Sequence, residues 1–179
     1  MPSTGRLLLF YDVQEMPWGF DPADRVGWLL LHDDTPEDDL APVEPPAVLR
    51  TPDPDGVLPE LPLTATAART LPEGFTPAVE DALGASDRDA YREWWVESMD
   101  RAFFDTHRVG GRPSQVQGEM TVECALGSAG HSTGDSSAYD DEEVLAAAQA
   151  EAPEWRLVLQ VASDDDRGFM WGDSGFLFV

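Results

Sequence analysis

The sequence predicts one domain of mixed helix and strand, and three observations predict it. Apolar runs of strand length stand near both ends, aromatic residues recur at helical spacing in the middle, and a Pro- and acid-rich excursion separates the two patterns. The chain has 179 residues, 42% of them hydrophobic and 9% aromatic, enough to bury the core of a single domain over residues 1–179.

The first run, GRLLLFYDV, opens at Gly5, and the second, VGWLLLHDD, spans Val26 to Asp34. Each has the length of a buried strand, and the stretch between them carries Pro17, Gly19 and Pro22, so the pair reads as a hairpin with a long loop. Ten of the fifteen prolines fall between Asp33 and Pro77, and nine acidic residues face the single Arg50 between Asp33 and Glu60. Residues 33–75 are therefore expected to run irregularly along the surface, with short extended pieces at AVLRT (47–51) and LPLTATAARTL (61–71).

Thr76 before Pro77 is an N-cap with proline at the first helical position, and Ser86-Asp87-Arg88-Asp89 resembles a capping box with Asp in the place of Glu. Tyr91, Trp95, Met99, Ala102 and Phe103 follow at helical spacing, widened by Trp94 and Phe104, a stripe expected to pack in the core. HRVGGRPSQVQGEM (107–120) then turns the chain, and TVECALG (121–127) alternates as a strand does. The small, polar residues 127–141 read as a flexible loop with His131 exposed, followed by a short helix in EEVLAAAQAEA (142–152). The closing segment, residues 155–179, holds two apolar runs around an Asp-rich turn, the pattern of a β-hairpin. Two echoes run through the chain: Pro17-Trp18-Gly19 returns as Met170-Trp171-Gly172, and Ser3-Thr4-Gly5 as Asp173-Ser174-Gly175. Their offsets differ, so one duplication does not explain both.

Acidic residues outnumber basic ones 35 to 11, a net charge of -24. Such a chain repels phosphate, which argues against nucleic acid and anionic membranes as partners and in favour of a basic protein. Lys, Ile and Asn are absent, the mark of a GC-rich genome, so every basic side chain is Arg. Without Lys there is no Schiff base and no P-loop lysine, and without Asn there is no glycosylation sequon. Cys124 is the only cysteine, which excludes an intramolecular disulfide and a cysteine zinc cluster and suits a reducing compartment. Only four consecutive apolar residues precede Tyr11, too few for a signal-peptide core or a membrane span, and the expectation is a cytoplasmic protein.

Gly172-Asp173-Ser174-Gly175 spells the signature around the nucleophile of trypsin-like serine proteases. Five residues follow Ser174, too few to build a specificity pocket, so the tetrapeptide reads as a turn with Gly175 supplying a positive φ. His32, His107 and His131 show no metal-binding spacing. Asp164, Asp165, Asp166 and Asp173 offer oxygen ligands to a divalent cation, but a solvated acidic turn is the usual meaning of such a run. Asp33 and Asp34, near Asp21 and Asp24, form a second acidic group of the same kind. Gly110 and Gly111, flanked by Arg108 and Arg112, suit either an anion on the backbone N–H groups or a tight turn whose arginines pair with acids.

Three blocks carry a resemblance: LLLFYDVQEMPWGFDP (7–22), HRVGGRPSQVQGEMTVEC (107–124) and WRLVLQVASDDDRGFMWGDSGFLF (155–178). In that order the chain resembles the YwqG-like proteins, a bacterial family of unknown function. The resemblance implies an α+β fold with a mixed or antiparallel sheet, a few helices, a long Pro-rich irregular excursion and a C-terminal β-hairpin. It lends no activity, and it implies that Ser174 is dispensable, since the family accepts alanine there. Family members extend further at both ends, so unpaired sheet edges are expected.

Together these readings favour a non-enzymatic binding or regulatory module that engages a protein or small ligand near the Gly-Gly-Pro turn, with Arg108, Gly110, Gly111, Arg112, Gln117, Trp171 and Asp173 as contacts. An immunity-like protein that neutralises a basic toxin is one form of it. The alternative is a metal-assisted enzyme built on Asp164, Asp165, Asp166 and Asp173. No organic cofactor is expected, and a divalent cation belongs to the alternative.

Overall fold

A computed structural model of the chain describes residues 2–44, 46, 62–98, 106–116, 119–164, 166, 168 and 170–179. The AVLRT piece, Met99, Ala102, Phe103, Phe104, Gln117 and Asp165 lie outside the described residues. Helices and two small antiparallel sheets make an α+β fold.

Strands β1 (Arg6–Tyr11) and β2 (Trp28–Asp33) pair with Leu9 opposite Leu30 and Tyr11 opposite Trp28. Carboxylates shape the loop between them. Asp12 Oδ1 accepts from the N–H groups of Gln14 and Glu15, Asp24 accepts from Gly19 N–H at 2.9 Å, and Asp21 caps a 3₁₀ turn over Pro22–Gly27. The two strands are less buried than their sequence predicts. Directly paired residues share a face, and on the face of Leu8, Phe10, Leu29 and Leu31 the Phe10 ring stays 55% exposed. A run apolar on both sides is buried only where a layer covers each face, and this ribbon meets the C-terminal turn through Tyr11, on the opposite face.

Residues 62–71 enter no ladder and residues 62–69 are exposed, so LPLTATAARTL forms no strand there. Helix α1 (Pro77–Ala82) starts at the Thr-Pro pair as predicted, but the Thr76 hydroxyl donates to Glu73 O at 2.9 Å instead of capping. Helix α2 (Ala85–Ser98) begins before Ser86: the Gly84 carbonyl accepts from the N–H groups of Asp87 and Arg88, which displaces the predicted box. Its aromatic stripe is a flank and not the core, since no described residue of α2 is buried. Tyr91 donates its hydroxyl to Pro72 O at 2.6 Å, Trp95 meets Phe75 edge-on, and Arg92 Nε bonds Gly74 O at 3.0 Å. The helix thus rests on a single irregular strap of backbone, too thin to cover large rings. Arg88 and Arg92 both bond Glu80, which ties α2 to α1.

TVECALG is helical, contrary to its reading as a strand. Helix α3 (Met120–Ser128) places Val122, Ala125 and Leu126 at i, i+3 and i+4, a row that short alternation masks, and Glu119 accepts from Thr121 N–H to cap it. His131, predicted exposed, is half-buried just past its end, with its N–H bonded to Leu126 O at 3.0 Å. The segment read as a flexible loop holds α4 (Ser137–Asp140), where Ala138 is buried. Helix α5 (Glu142–Glu151) is capped by Asp141, which accepts from Glu143 and Val144 N–H. Ala125, Leu126, Ala138 and Ala148 form the core between these three helices, with Val122, Tyr139, Val144 and Trp155 packed around it.

Beside it, β3 (Arg108–Val109), β4 (Leu159–Ala162) and β5 (Phe176–Phe178) form an antiparallel sheet in that order, the last two making the predicted hairpin. Among the described residues no helix is long and apolar enough to cross a membrane.

Candidate functional site

Ser163 organises the C-terminal turn. Its N–H and its hydroxyl both donate to Gly175 O, at 3.1 and 2.9 Å, while its Oγ accepts from Trp171 N–H at 2.9 Å. Gly175 N–H in turn bonds Trp171 O at 2.8 Å, so Trp171 to Gly175 close on themselves. Closure takes two left-handed residues, Gly172 at φ 58° and Ser174 at φ 61°. The positive φ predicted for Gly175 thus falls on Ser174, because Gly175 has already entered the extended run into β5 with its carbonyl on Ser163. Ser174 is an exposed turn residue, and His107 is engaged elsewhere, its Nδ1 accepting from Ala162 N–H at 3.2 Å.

The two Trp-Gly turns meet in space. A Cβ on Gly172 would stand 2.7 Å from Trp18 Cη2, so the indole lies directly on that glycine. Trp18 stacks on Phe20 with centroids 6.0 Å apart and planes 10° apart, and Trp171 stands edge-on to Tyr11 at 5.5 Å. Three bonds hold the Trp18 loop: Asp24 on Gly19 N–H, the Tyr11 hydroxyl on Pro17 O at 2.9 Å, and Thr133 N–H on Phe20 O at 2.8 Å. Trp18 nevertheless remains 70% exposed. Carboxylates gather here. Burial pushes the Tyr11 phenol up, and the charges of Asp12 and Asp24 push it further. Asp21 and Asp173, the sequence neighbours of Phe20 and Gly172, are exposed, and Arg25 is the only basic residue between Asp12 and Gly27. An indole face and carboxylates attract the same kind of group, a cation.

The Gly-Gly turn is a different place. Gly110 and Gly111 both take positive φ, and Arg108 Nη1 donates to Arg112 O and to Ser114 Oγ. Gly110 N–H bonds Val158 O at 3.0 Å and Arg112 N–H bonds Thr70 Oγ1 at 2.8 Å, so two of the turn's donors are committed within the fold. Glu73 accepts from Gln115 N–H at 2.6 Å. Burial pushes its carboxyl up against the bond from Gln115 N–H, Glu119 adds to the rise, and Arg108 opposes it. The cleft beside this turn, lined by Glu73, Arg112, Pro113, Gln115 and Glu119 among others, measures about 40 Å³. Small-molecule sites run from about 300 to 1,000 Å³.

Of the acidic candidates, Asp166 and Asp173 are exposed and Asp164 is half-buried. Among the described residues no three His, Cys, Asp or Glu side chains come together as a metal-holding group. The Cys124 thiol is pushed up by burial and by Glu123, which keeps it protonated and a poor nucleophile.

Sequence reasoning selected Trp171 and Asp173 at the aromatic face but missed Tyr11, Trp18, Phe20 and Ser163. The Trp-Gly echo was the available signal for Trp18, since the two copies pack on one another; nothing in the sequence singles out Ser163. No curated protein and no solved structure matches the chain. A family model does match, over residues 1–179, and the chain belongs to the family it describes, Domain of unknown function (DUF1963).

Proposed function

We propose that the domain is a non-enzymatic binding module that takes a basic segment of a partner protein onto the aromatic face around Trp18. The observation that carries this reading is a tryptophan 70% exposed yet fixed by Gly172, by Phe20 and by a hydrogen-bonded loop. A rigid aromatic loses little freedom on binding, and Trp and Tyr recur among the residues that dominate interface energies. The net charge of -24 and the carboxylates of Asp12, Asp21, Asp24 and Asp173 favour Arg or Lys as the group received. An immunity-like protein facing a basic toxin is one form of this reading. Kinship with the bacterial YwqG-like proteins and a cytoplasmic setting belong to the same proposal, supported by the three sequence blocks and the lone half-buried Cys124. The Arg108–Arg112 turn, with Gly110 N–H, Arg112 N–H and Arg108 Nη1 bonded within the fold, takes a structural role in this reading.

Capture from an extract of the source cells at about 150 mM salt, with wild-type and Trp18→Ala proteins side by side, tests the proposal. Basic proteins retained by the wild type and lost from the variant, with unchanged circular dichroism, are the expected result. Equal recovery on both baits, or retention of acidic species alone, overturns it.

A further inference from the structure

A second open surface lies on the helical side of the molecule and does not depend on the Trp18 reading. Between α3 and α5 runs an open groove of about 300 Å³. Its floor is apolar, with Ala125, Leu126 and Ala148 buried and Val144 half-buried, and no arginine lines it. Glu143, Ala147 and Glu151 form one row along the groove's α5 rim, at i, i+4 and i+8, and all three are exposed. At 1.5 Å per residue the two glutamates stand about 12 Å apart. Asp141, also on the rim, already caps α5 through Glu143 and Val144 N–H, so Glu143 and Glu151 carry the rim's outward charge.

These features select an occupant. Alanines at the floor and between the glutamates let a third helix approach closely, where larger side chains would hold it off. The floor calls for an aliphatic stripe, and carboxylates about 12 Å apart match two cations two helical turns apart. A second copy of this chain, itself at -24 and without Lys, would bring acid to acid. We propose that the α3–α5 groove docks a basic amphipathic helix of a partner protein, its Leu or Ala stripe lying between the two helices and two Lys or Arg residues, two turns apart, meeting Glu143 and Glu151.

The test is fluorescence anisotropy at about 150 mM salt with a labelled peptide of about 15 residues, built from Leu, Ala and Lys with the lysines two turns apart. A scrambled peptide of the same composition, which loses the apolar stripe, is the control. Glu143→Gln with Glu151→Gln should weaken binding about fivefold to tenfold. Ala147→Phe, at an exposed position, should block the groove while thermal melting stays unchanged. The groove variants should weaken binding to the same extent with Trp18 present and with Trp18→Ala, which separates this site from the aromatic face. Equal affinity for the scrambled peptide, indifference to the groove variants, or loss on Trp18→Ala alone overturns the proposal. So does binding of spermidine without binding of the peptide, which would mark a site for small cations.

Discussion

Ser174 holds a backbone conformation, φ 61°, that residues with a Cβ adopt at a cost. A β-branched side chain tolerates it least, so Ser174→Val should lose about 1–2 kcal/mol in urea unfolding, whereas Ser174→Ala should be nearly neutral. Equal stability of all three would mean that the turn closes in another way. Gly172 is constrained twice, by φ 58° and by the indole against it. Gly172→Ala should cost at least about 1 kcal/mol and shift tryptophan emission, because Trp18 must move to admit the methyl group. An unchanged spectrum would place the indole elsewhere. Glu73 is the residue to read by pH. A carboxyl raised in the folded state makes the folded chain the better proton binder, so its stabilising share is full below the ordinary 4.5 and is lost as pH rises through the folded value. Glu73→Gln keeps an acceptor for Gln115 N–H and removes the half-buried charge. Its stability relative to the wild type should therefore rise with pH between about 4 and 7. A constant difference across that range contradicts the assignment.

At the scale of the element, Gln160 shows what a strand contributes beyond its ladder. From the middle of β4 its fully buried side chain accepts Ser114 N–H at 2.8 Å and donates to Thr106 O at 3.1 Å, clamping the chain on both sides of β3. Gln160→Leu fills similar space and strands both groups, so a loss of about 2 kcal/mol or more is expected in denaturant unfolding, against little change at exposed Glu154. The hairpins, the start of α1 at Thr76-Pro77 and the short helix α5 were legible because proline, alanine-rich runs and strand-length apolar runs act locally. Helix α3 was not: seven residues of TVECALG satisfy both periods, and what decides is the core that Ala125 and Leu126 enter. The stripe on α2 misled for a related reason, since periodicity tells which residues share a face but not how thick a layer lies beneath it. The aromatic face was half legible, through the Trp-Gly echo, while Ser163 became visible only once β4 and the turn stood together.

For the molecule as a whole, the three blocks singled out in the sequence are the ones that meet. Tyr11 and Trp18 of the first touch Trp171 and Gly172 of the third, and Ser114 of the second is held by Gln160 of the third. Their residues close long-range contacts, which is why they report a fold and stay silent on chemistry. The charge acts on the same scale. With -24 on 179 residues, self-repulsion should depress stability at low ionic strength, and the melting temperature should rise between about 20 and 500 mM of any simple monovalent salt. A flat response would mean that ion pairs such as Arg6–Asp33 and Arg92–Glu80 already offset the repulsion. The contact of Trp18 with Gly172 also has a consequence for the protein's birth. A chain growing on the ribosome releases Tyr11 and Trp18 before the turn that they meet, which comes only with the third block. Until that turn arrives Trp18 lacks its seat on Gly172, so the aromatic face forms only after the first and third blocks have both left the ribosome.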